Sequence, residues 1–322
     1  MAEEREQMQR WEKRFFSEFI SKPGQHMGVV GRTGAGKTNY MRWCLEGELE
    51  YRRTVPMSKW NTLVWFDIGK ASEILGICCG LKVPCRLILP DMMDIHVELF
   101  DPETTFYEVE KVHISSEREI WQSLSRDRVN IVCFEGFIRD VDRMVVFIKK
   151  TFSSLIEQAL DYKLKHIVPM RIYYDEFHNI CPSKGNAASS EVFKHGGDIQ
   201  LNIEKLRGHG IGFVAGLHKW TELRPGVRSS FMFISVMAGA NFPGQEQPKL
   251  YRFNRKFEKL QPGQVMIAFP GRTLTDVLNL PLYPEGKEFG YLYYVGKLHK
   301  EKKTYTKVHT SQAAAHLYDD TI

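Results

Sequence analysis

The chain has 322 residues and a formal net charge of +5, with 43% hydrophobic and 26% charged residues. This composition is ordinary for a globular protein of one large or two small domains, and the mild basic excess permits a polyanionic partner without requiring one. No apolar run approaches the roughly 20 residues of a membrane span, and the charged N-terminus lacks the apolar core of a secretory signal. We therefore expect a cytoplasmic protein without an integral membrane segment, located in the host cytoplasm if the protein is viral.

The elements predicted along the chain alternate between strands and helices. Residues 3–20 carry aromatic and apolar residues at roughly helical spacing, which predicts an amphipathic helix that packs on its own domain or on a neighbouring subunit. The later helices are predicted at 38–53, 116–125, 140–165 and 191–207, and the strands at 26–31, 62–69, 85–90, 129–136, 170–180, 210–220 and 231–237. This alternation predicts an α/β fold with a largely parallel, buried central sheet flanked by helices.

One stretch carries a phosphate-binding motif. It reads Gly-Arg-Thr-Gly-Ala-Gly-Lys-Thr and fits the pattern G-x-x-x-x-G-K-[ST] between an apolar strand and a helix. Glycines let successive N–H groups point at phosphate oxygens, and the helix N-terminus adds partial positive charge. The residues predicted to bind ATP are Gly31, Arg32, Thr33, Gly34, Ala35, Gly36, Lys37 and Thr38. The alternative is a glycine-rich turn with an exposed lysine.

Specific roles follow for the last two residues of this motif. Lys37 is expected to reach the β- and γ-phosphates as a point charge, and Thr38 to offer its hydroxyl to Mg²⁺.

A second motif supplies two carboxylates. In "RIYYDEFHNI" an apolar and aromatic run leads to Asp175 and Glu176. A strand that ends in Asp beside a phosphate loop holds Mg²⁺, usually through water, and an adjacent Glu polarises the attacking water. Together with the phosphate loop this pair predicts ATP hydrolysis, with ATP and Mg²⁺ as the ligands. The alternative is a solvated acidic strand end.

The order of motifs resembles the FtsK–HerA superfamily of DNA-pumping ATPases over about residues 24 to 275. The resemblance is carried by "NTLVWFDIGK", by "IEKLRGHGIGFVAGLHKWTELRPGVRSS" and by "LQPGQVMIAFPGR". It implies a RecA-like (ASCE) P-loop NTPase that works as a ring. Arg207 then resembles an arginine finger that acts on the neighbouring subunit, with Arg228 as a second candidate. His218 stands at the sensor position where the family usually has Gln, a departure that an imidazole still serves by hydrogen bonding.

The pattern along the chain, taken with this resemblance, predicts three regions. They are an N-terminal amphipathic helix at 1–23, a P-loop ATPase core at 24–262, and a β-rich C-terminal extension with a basic tail at 263–322. The strands of the extension either continue the sheet edge or form a small separate unit. The basic end is either a solvated tail or a nucleic-acid contact.

The function that the resemblance implies is a hexameric ring motor that translocates double-stranded DNA, as in genome packaging of a virus or mobile element. Lys184 in loop 182–191 and the Lys194–His195 pair are candidate DNA contacts. For the nucleotide site, Pro270–Arg272 lie where a late loop could contact the base of the bound ATP. A portal, capsid or membrane protein is a further expected partner. The alternatives are a conjugation or helicase-type HerA ATPase, and an assembly or secretion ATPase that moves protein.

Overall fold

The computed structural model describes residues 10–68, 72–101, 103–104, 108–138, 141–296 and 305–307. The strands of this part are β1 (Met27–Val30), β2 (Thr62–Asp67), β3 (Cys85–Pro90), β4 (Met93–Leu99), β5 (Val109–Ile114), β6 (Val129–Cys133), β7 (Met170–Tyr174), β8 (Ile211–Leu217), β9 (Phe233–Met237), β10 (Gln264–Ala268), β11 (Leu278–Asn279), β12 (Gly290–Gly296) and β13 (Tyr305–Lys307).

The helices follow the predicted alternation. Within the described residues they are α1 (residues 10–15), α2 (Lys37–Thr54), α3 (Ser72–Cys78), α4 (Phe134–Phe137), α5 (Val141–Leu160), α6 (Ser190–Gly208), α7 (Pro225–Arg228), α8 (Pro248–Tyr251) and α9 (Asn254–Glu258). A π-helical turn, Phe16–Ile20, continues α1, and the helix predicted at 116–125 is the 3₁₀ segment Glu117–Ser123. None of the helices in this part is long and apolar enough to cross a membrane.

A ten-stranded sheet organises the described chain. Its order is β11-β10-β9-β1-β8-β7-β2-β6-β3-β5. The eight strands from β9 to β5 pair in parallel, whereas β10 and β11 add an antiparallel edge. Every residue of β1, β2, β6, β7, β8 and β9 is buried, as expected for parallel strands covered on both faces. The predicted α/β class is therefore confirmed.

The parallel register gathers several strand ends. Val30 of β1 pairs with Leu217 of β8, and Tyr174 of β7 pairs with Ala215 of β8. Because these strands run in the same direction, the residues that follow them meet at one border of the sheet, here called the C-terminal edge.

The N-terminal helical segment packs on its own domain. Phe15, Phe19 and Ile20 are fully buried, and the Phe15 ring stacks on Trp43 of α2 with centroids 5.3 Å apart. The sequence predicted that this apolar stripe packs either on its own domain or on a neighbouring subunit, and the described part of the segment packs on its own domain. Residues 1–9, which begin the predicted helix, lie outside the described residues.

A buried arginine ties this segment to the sheet. Arg171 of β7 donates to the Glu48 carboxylate at 2.9 Å, and both side chains are at most 1% exposed. It also donates to the backbone carbonyl oxygens of Phe19 and Gln25. A buried ion pair persists only where further hydrogen bonds satisfy both groups, so this arginine fixes the path of the chain into β1.

The strands after residue 263 were predicted either to continue the main sheet or to form a small separate unit, and the structure contains strands of both kinds. β10 and β11 extend the main sheet, whereas β12 pairs with β4 and β13 in a second sheet. β4 was not predicted, although its sequence "MDIHVEL" alternates apolar and polar residues as a half-buried strand does. A domain boundary near 263 stays a prediction. The basic tail falls mostly outside the described residues, which resume only at 305–307.

Candidate functional site

The loop after β1 has the geometry that its motif predicts. Gly34 and Gly36 have φ angles of +77° and +94°, which only glycine adopts without strain. Gly36 caps α2, so Lys37 is the first residue of that helix. The first N–H groups of a helix have no intrahelical acceptor and, with the helix dipole, attract an anion. Residues 31–38 therefore have the geometry of a candidate anion site on the C-terminal edge.

The Lys37 side chain folds back over this loop. Its Nζ atom lies 3.0 Å from the Gly31 carbonyl oxygen, 3.4 Å from that of Arg32 and 3.1 Å from His218 Nδ1. The side chain is only 6% exposed. An ammonium held by two carbonyls at the mouth of an anion site is placed to meet phosphate oxygens instead.

Asp175 reaches the first turn of α2. It follows β7 directly, is 4% exposed, and its Oδ2 lies 3.5 Å from Thr38 Oγ1. Gly216 of the adjacent β8 makes room for it, because a Cβ there would lie 2.0 Å from Asp175 Oδ1. A hydroxyl and a carboxylate beside a phosphate loop are the oxygen donors that Mg²⁺ prefers, and Mg²⁺ needs only one or two of them because it keeps several waters. These two residues fit the predicted cation.

Glu176 and His218 form a pair beside the loop. Glu176 has a left-handed backbone with φ +56°, and its Oε1 lies 2.7 Å from His218 Nε2. The other imidazole nitrogen faces Lys37 at 3.1 Å and Thr33 Oγ1 at 3.4 Å. An ammonium only donates hydrogen bonds, so Nδ1 must accept. In this arrangement the Nε2–H donates to the Glu176 carboxylate.

Three residues of this site were missed by the sequence reasoning. Glu73 of α3 is 3% exposed and its Oε1 accepts from Thr38 Oγ1 at 3.3 Å. His178 Nδ1 lies 3.5 Å from Glu176 Oε2, and Gly216 gives Asp175 its space. Glu73 looks in sequence like any acidic residue in a first helical turn, so no pattern would have singled it out.

The two arginine candidates lie away from the phosphate loop of the same chain. Arg207 lies one residue before the end of α6, ahead of β8, so β8 separates it from His218 by roughly 20 Å, the length of seven extended residues. Its side chain is 40% exposed and 2.7 Å from Glu204. Arg228 is wrongly placed for a finger: it is 7% exposed, pairs with Glu246, and donates to the Leu223 carbonyl.

The predicted DNA contacts separate into an exposed and a buried part. Lys184 is exposed on the loop that follows β7. Residues 194 and 195 belong to helix α6 rather than to a loop; Lys194 is exposed there, whereas the His195 side chain is 4% exposed. Burial lowers its pKa below the ordinary value, so His195 is a neutral packed residue and its assignment to an exposed loop is wrong.

The remaining sequence candidates lie elsewhere. Pro270–Arg272 follow β10, whose Ala268 pairs with Ile234 near the start of β9. This is the border of the sheet opposite the phosphate loop, so the suggestion that these residues contact the base of a bound ATP is wrong. Asp67, carried by the family resemblance, is buried at the end of β2 and accepts from Tyr294 Oη at 3.2 Å. Its neighbours 69–70 lie outside the described residues.

The strand order and the site together define a class. β8 lies between β1, which carries the phosphate loop, and β7, which carries Asp175 and Glu176. This is the arrangement of a RecA-like (ASCE) P-loop NTPase, as predicted.

No family model and no curated protein matches the sequence. Among solved structures the chain is similar to the genome-packaging NTPase B204 of Sulfolobus turreted icosahedral virus 2 in complex with AMPPCP, with 12% identity, a TM-score of 0.44, and coverage of 81% of this chain and 100% of that one. It is similar to the bacterial conjugative coupling protein TrwBΔN70, with 11% identity, a TM-score of 0.45, and coverage of 83% and 87%.

A third similar structure is Thermomonospora curvata EccC (ATPases 2 and 3) with a signal sequence peptide, at 13% identity, a TM-score of 0.39, and coverage of 81% of this chain and 39% of that one. All three are P-loop ATPases of the FtsK–HerA type that the sequence resembles. At 11 to 13% identity these likenesses carry no argument about function, which rests below on the site of this chain.

Proposed function

We propose that this protein binds ATP with Mg²⁺ and hydrolyses it to ADP and phosphate. The observation that carries the proposal is the meeting of three segments at the C-terminal edge: Lys37 and Thr38 from the phosphate loop, Asp175 with Glu176, and His218. Thr38 and Asp175 lie 3.5 Å apart, and Glu176 and His218 lie 2.7 Å apart. A structural turn would not need a buried carboxylate and a glutamate–histidine pair beside it.

Each side chain has one task in this proposal. Lys37 leaves its carbonyl partners to meet the β- and γ-phosphates, which frees His218 Nδ1 to accept a hydrogen bond from a water beside the γ-phosphate. His218 Nε2–H keeps its bond to Glu176, so the second carboxylate oxygen is left to accept a hydrogen bond from the attacking water. Thr38 and Asp175 would hold Mg²⁺, which when bound neutralises phosphate charge.

Replacement of the proposed water-orienting residue tests the chemistry. Glu176→Gln is expected to lower the ATP hydrolysis rate by about 10²- to 10⁴-fold, the usual value of a positioned base, and to leave ATP binding in place. Glu222→Gln is the matched control, since Glu222 approaches the same His178 at 3.9 Å but does not contact His218. Unchanged phosphate release by the Glu176 variant would contradict the assigned role.

Ring assembly would place Arg207 where hydrolysis needs it. The phosphate loop and Arg207 lie at opposite borders of the sheet, so a head-to-tail interface brings the arginine of one subunit to the phosphate loop of the next. An arginine at this point stabilises the charge of the transferring phosphoryl group. We expect a closed homo-oligomeric ring, with six subunits as the family resemblance implies.

Mixed rings test the arginine in trans. Arg207→Ala and Lys37→Ala subunits are each expected to be inactive, but a 1:1 mixture should regain roughly a quarter of wild-type ATPase activity, because a quarter of random head-to-tail interfaces pair an intact lysine with an intact arginine. Lys205→Ala, an exposed change on the same helix end, is the control. Rings that form yet stay inactive in every mixture would contradict the proposal.

Double-stranded DNA is the proposed cargo, as for a genome-packaging motor. Besides Lys184, the segment 249–259 offers a strong positive surface that sequence reasoning had not singled out. Its basic residues are all exposed and, among the described residues, make no ion pair: Lys249, Arg252, Arg255, Lys256 and Lys259. A motor that tracks any sequence contacts the phosphate backbone through such residues rather than the bases.

DNA stimulation of the ATPase distinguishes this cargo from protein. Several-fold stimulation by double-stranded DNA at low salt is expected, weakening as salt rises. Charge reversal of Arg255 and Lys256 should reduce the stimulation and leave the basal rate intact, and Lys184→Glu tests the other surface in the same way. No stimulation at low salt would count against DNA and favour the protein-moving alternative.

A further inference from the structure

A second carboxylate, not used in the proposed function, reaches the phosphate loop. Glu73 lies near the start of α3, and its side chain is 3% exposed. One oxygen, Oε1, accepts from Thr38 Oγ1 at 3.3 Å, and the other, Oε2, accepts from Trp65 Nε1 at 3.2 Å. Trp65 is buried in β2 and stacks on Tyr173 at 5.5 Å. The carboxylate is therefore held by rigid elements and aimed at Thr38.

The Thr38 hydroxyl stands between two acceptors. Its oxygen is 3.3 Å from Glu73 Oε1 and 3.5 Å from Asp175 Oδ2. A hydroxyl has one hydrogen and two lone pairs. Donation to Glu73 leaves a lone pair of the oxygen facing the side of Asp175, whereas donation to Asp175 turns the hydrogen towards that side. A hydroxyl that ligates a cation must point its hydrogen away from it.

A buried arginine balances the extra negative charge. Arg42 follows Thr38 by one turn of α2, and Glu73 is the leading charge that opposes the lowering of the Arg42 pKa by burial. Gly76, one turn after Glu73, leaves room for the guanidinium, since a Cβ there would lie 2.2 Å from Arg42 Nη2. Burying two opposite charges close together lowers the stability of the fold less than burying a carboxylate without a partner.

We propose that Glu73 is a positioning residue that takes the Thr38 hydroxyl hydrogen and so turns the Thr38 oxygen towards Mg²⁺. This inference rests on the proposed nucleotide site. The alternative is a purely structural role, in which Glu73 only accepts the hydrogen bond of the buried Trp65 indole and holds α3 in place.

A glutamine at position 73 distinguishes the positioning of Thr38 from a purely structural contact with Trp65. Both oxygens of Glu73 face donors, but glutamine has only one acceptor oxygen. In Glu73→Gln the buried Trp65 N–H claims that oxygen, and the amide NH₂ then faces Thr38 and repels its hydroxyl hydrogen. Trp65→Phe removes the competing donor, so in the double variant the amide is free to turn its oxygen to Thr38.

The readout is the ratio of the dissociation constants of N-methylanthraniloyl-ADP in EDTA and in Mg²⁺, measured on the full chain. Loss of a hydrogen bond to a charged group predicts an approximately tenfold lower ratio in Glu73→Gln, with the EDTA value unchanged. Trp65→Phe should keep the wild-type ratio, and the double variant should regain it. If Glu73→Gln does not fold, the comparison runs between Trp65→Phe and the double variant.

A wild-type ratio in Glu73→Gln, or a double variant whose ratio is far below that of Trp65→Phe, would overturn the positioning role. A wild-type chain that binds no nucleotide would instead refute the proposed function, and this inference with it.

Discussion

A single added methyl group should disable the cation end of the site. Gly216 lies on β8 directly beside Asp175, and a Cβ at this position would lie 2.0 Å from Asp175 Oδ1 and 3.0 Å from its Cα. Real Cβ atoms essentially never approach other atoms to under 3.0 Å. In Gly216→Ala the carboxylate must therefore move by about 1 Å or more, a displacement of the size that well-packed interiors resist.

The expected effect has two parts. Overpacking of a buried strand costs about 1–3 kcal/mol of unfolding free energy. The shift also breaks the 3.5 Å approach between Asp175 and Thr38, and a misplacement of about 1 Å at a reacting centre costs about 10²-fold in rate. Gly216→Ala should thus remain folded, keep its nucleotide affinity in EDTA, and lose about 10²-fold in Mg²⁺-dependent ATP hydrolysis.

Phosphate release and urea unfolding, measured side by side, test this prediction. Gly212→Ala is the control, because it adds a methyl group to the same strand that would lie 2.4 Å from the Gln25 carbonyl oxygen, far from the site. It should destabilise the fold without this loss of rate per folded molecule. A Gly216→Ala protein that hydrolyses ATP within threefold of wild type, or a Gly212→Ala protein with an equal loss, would refute the reasoning.

Three further predictions concern stability and the loop. Burial lowers the pKa of His26 from 6.5 to about 3, so between these pH values the unfolded chain binds a proton that the folded chain does not. His26 should therefore lower the free energy of unfolding by about 1.4 kcal/mol for each pH unit below 6.5, down to about pH 3. Urea unfolding at several pH values should show a steeper loss than in His26→Gln, and equal pH dependence in the two proteins would contradict it. Arg171→Leu leaves the buried Glu48 carboxylate without its ion-pair partner and should lower the free energy of unfolding by about 3–5 kcal/mol. Adding Glu48→Gln should restore part of this loss, and a double variant whose losses simply add would contradict the prediction. Gly36→Ala places a side chain at φ +94° and should cost about 1–2 kcal/mol of stability and weaken nucleotide binding, which equilibrium binding would check; unchanged affinity would argue against the loop geometry.

Local patterns were enough to predict the main elements. The strands β1 and β7 are short, mainly apolar runs, although β7 ends at Tyr174 rather than at the predicted residue 180, and the phosphate loop has fixed glycine spacing, so both follow from short-range stereochemistry. The helix at α6 was predicted to within one residue at each end. β4 was missed although its partner β12 was predicted as a strand, because β12 lies about 200 residues further along the chain and the pairing of two half-buried strands so far apart leaves no local signal.

The sequence by itself determined the α/β class, the anion-binding loop and the two acidic residues that follow β7, because each is a property of a contiguous stretch. Only the tertiary structure decided which distant groups meet them. The contact of His218 with Glu176, the proximity of Glu73 to Thr38, and the burial of His195 all depend on contacts between separate segments. The same holds for Arg207, whose place at the border opposite the phosphate loop follows from the direction of β8 in a parallel sheet and makes it a candidate for the next subunit's site rather than its own.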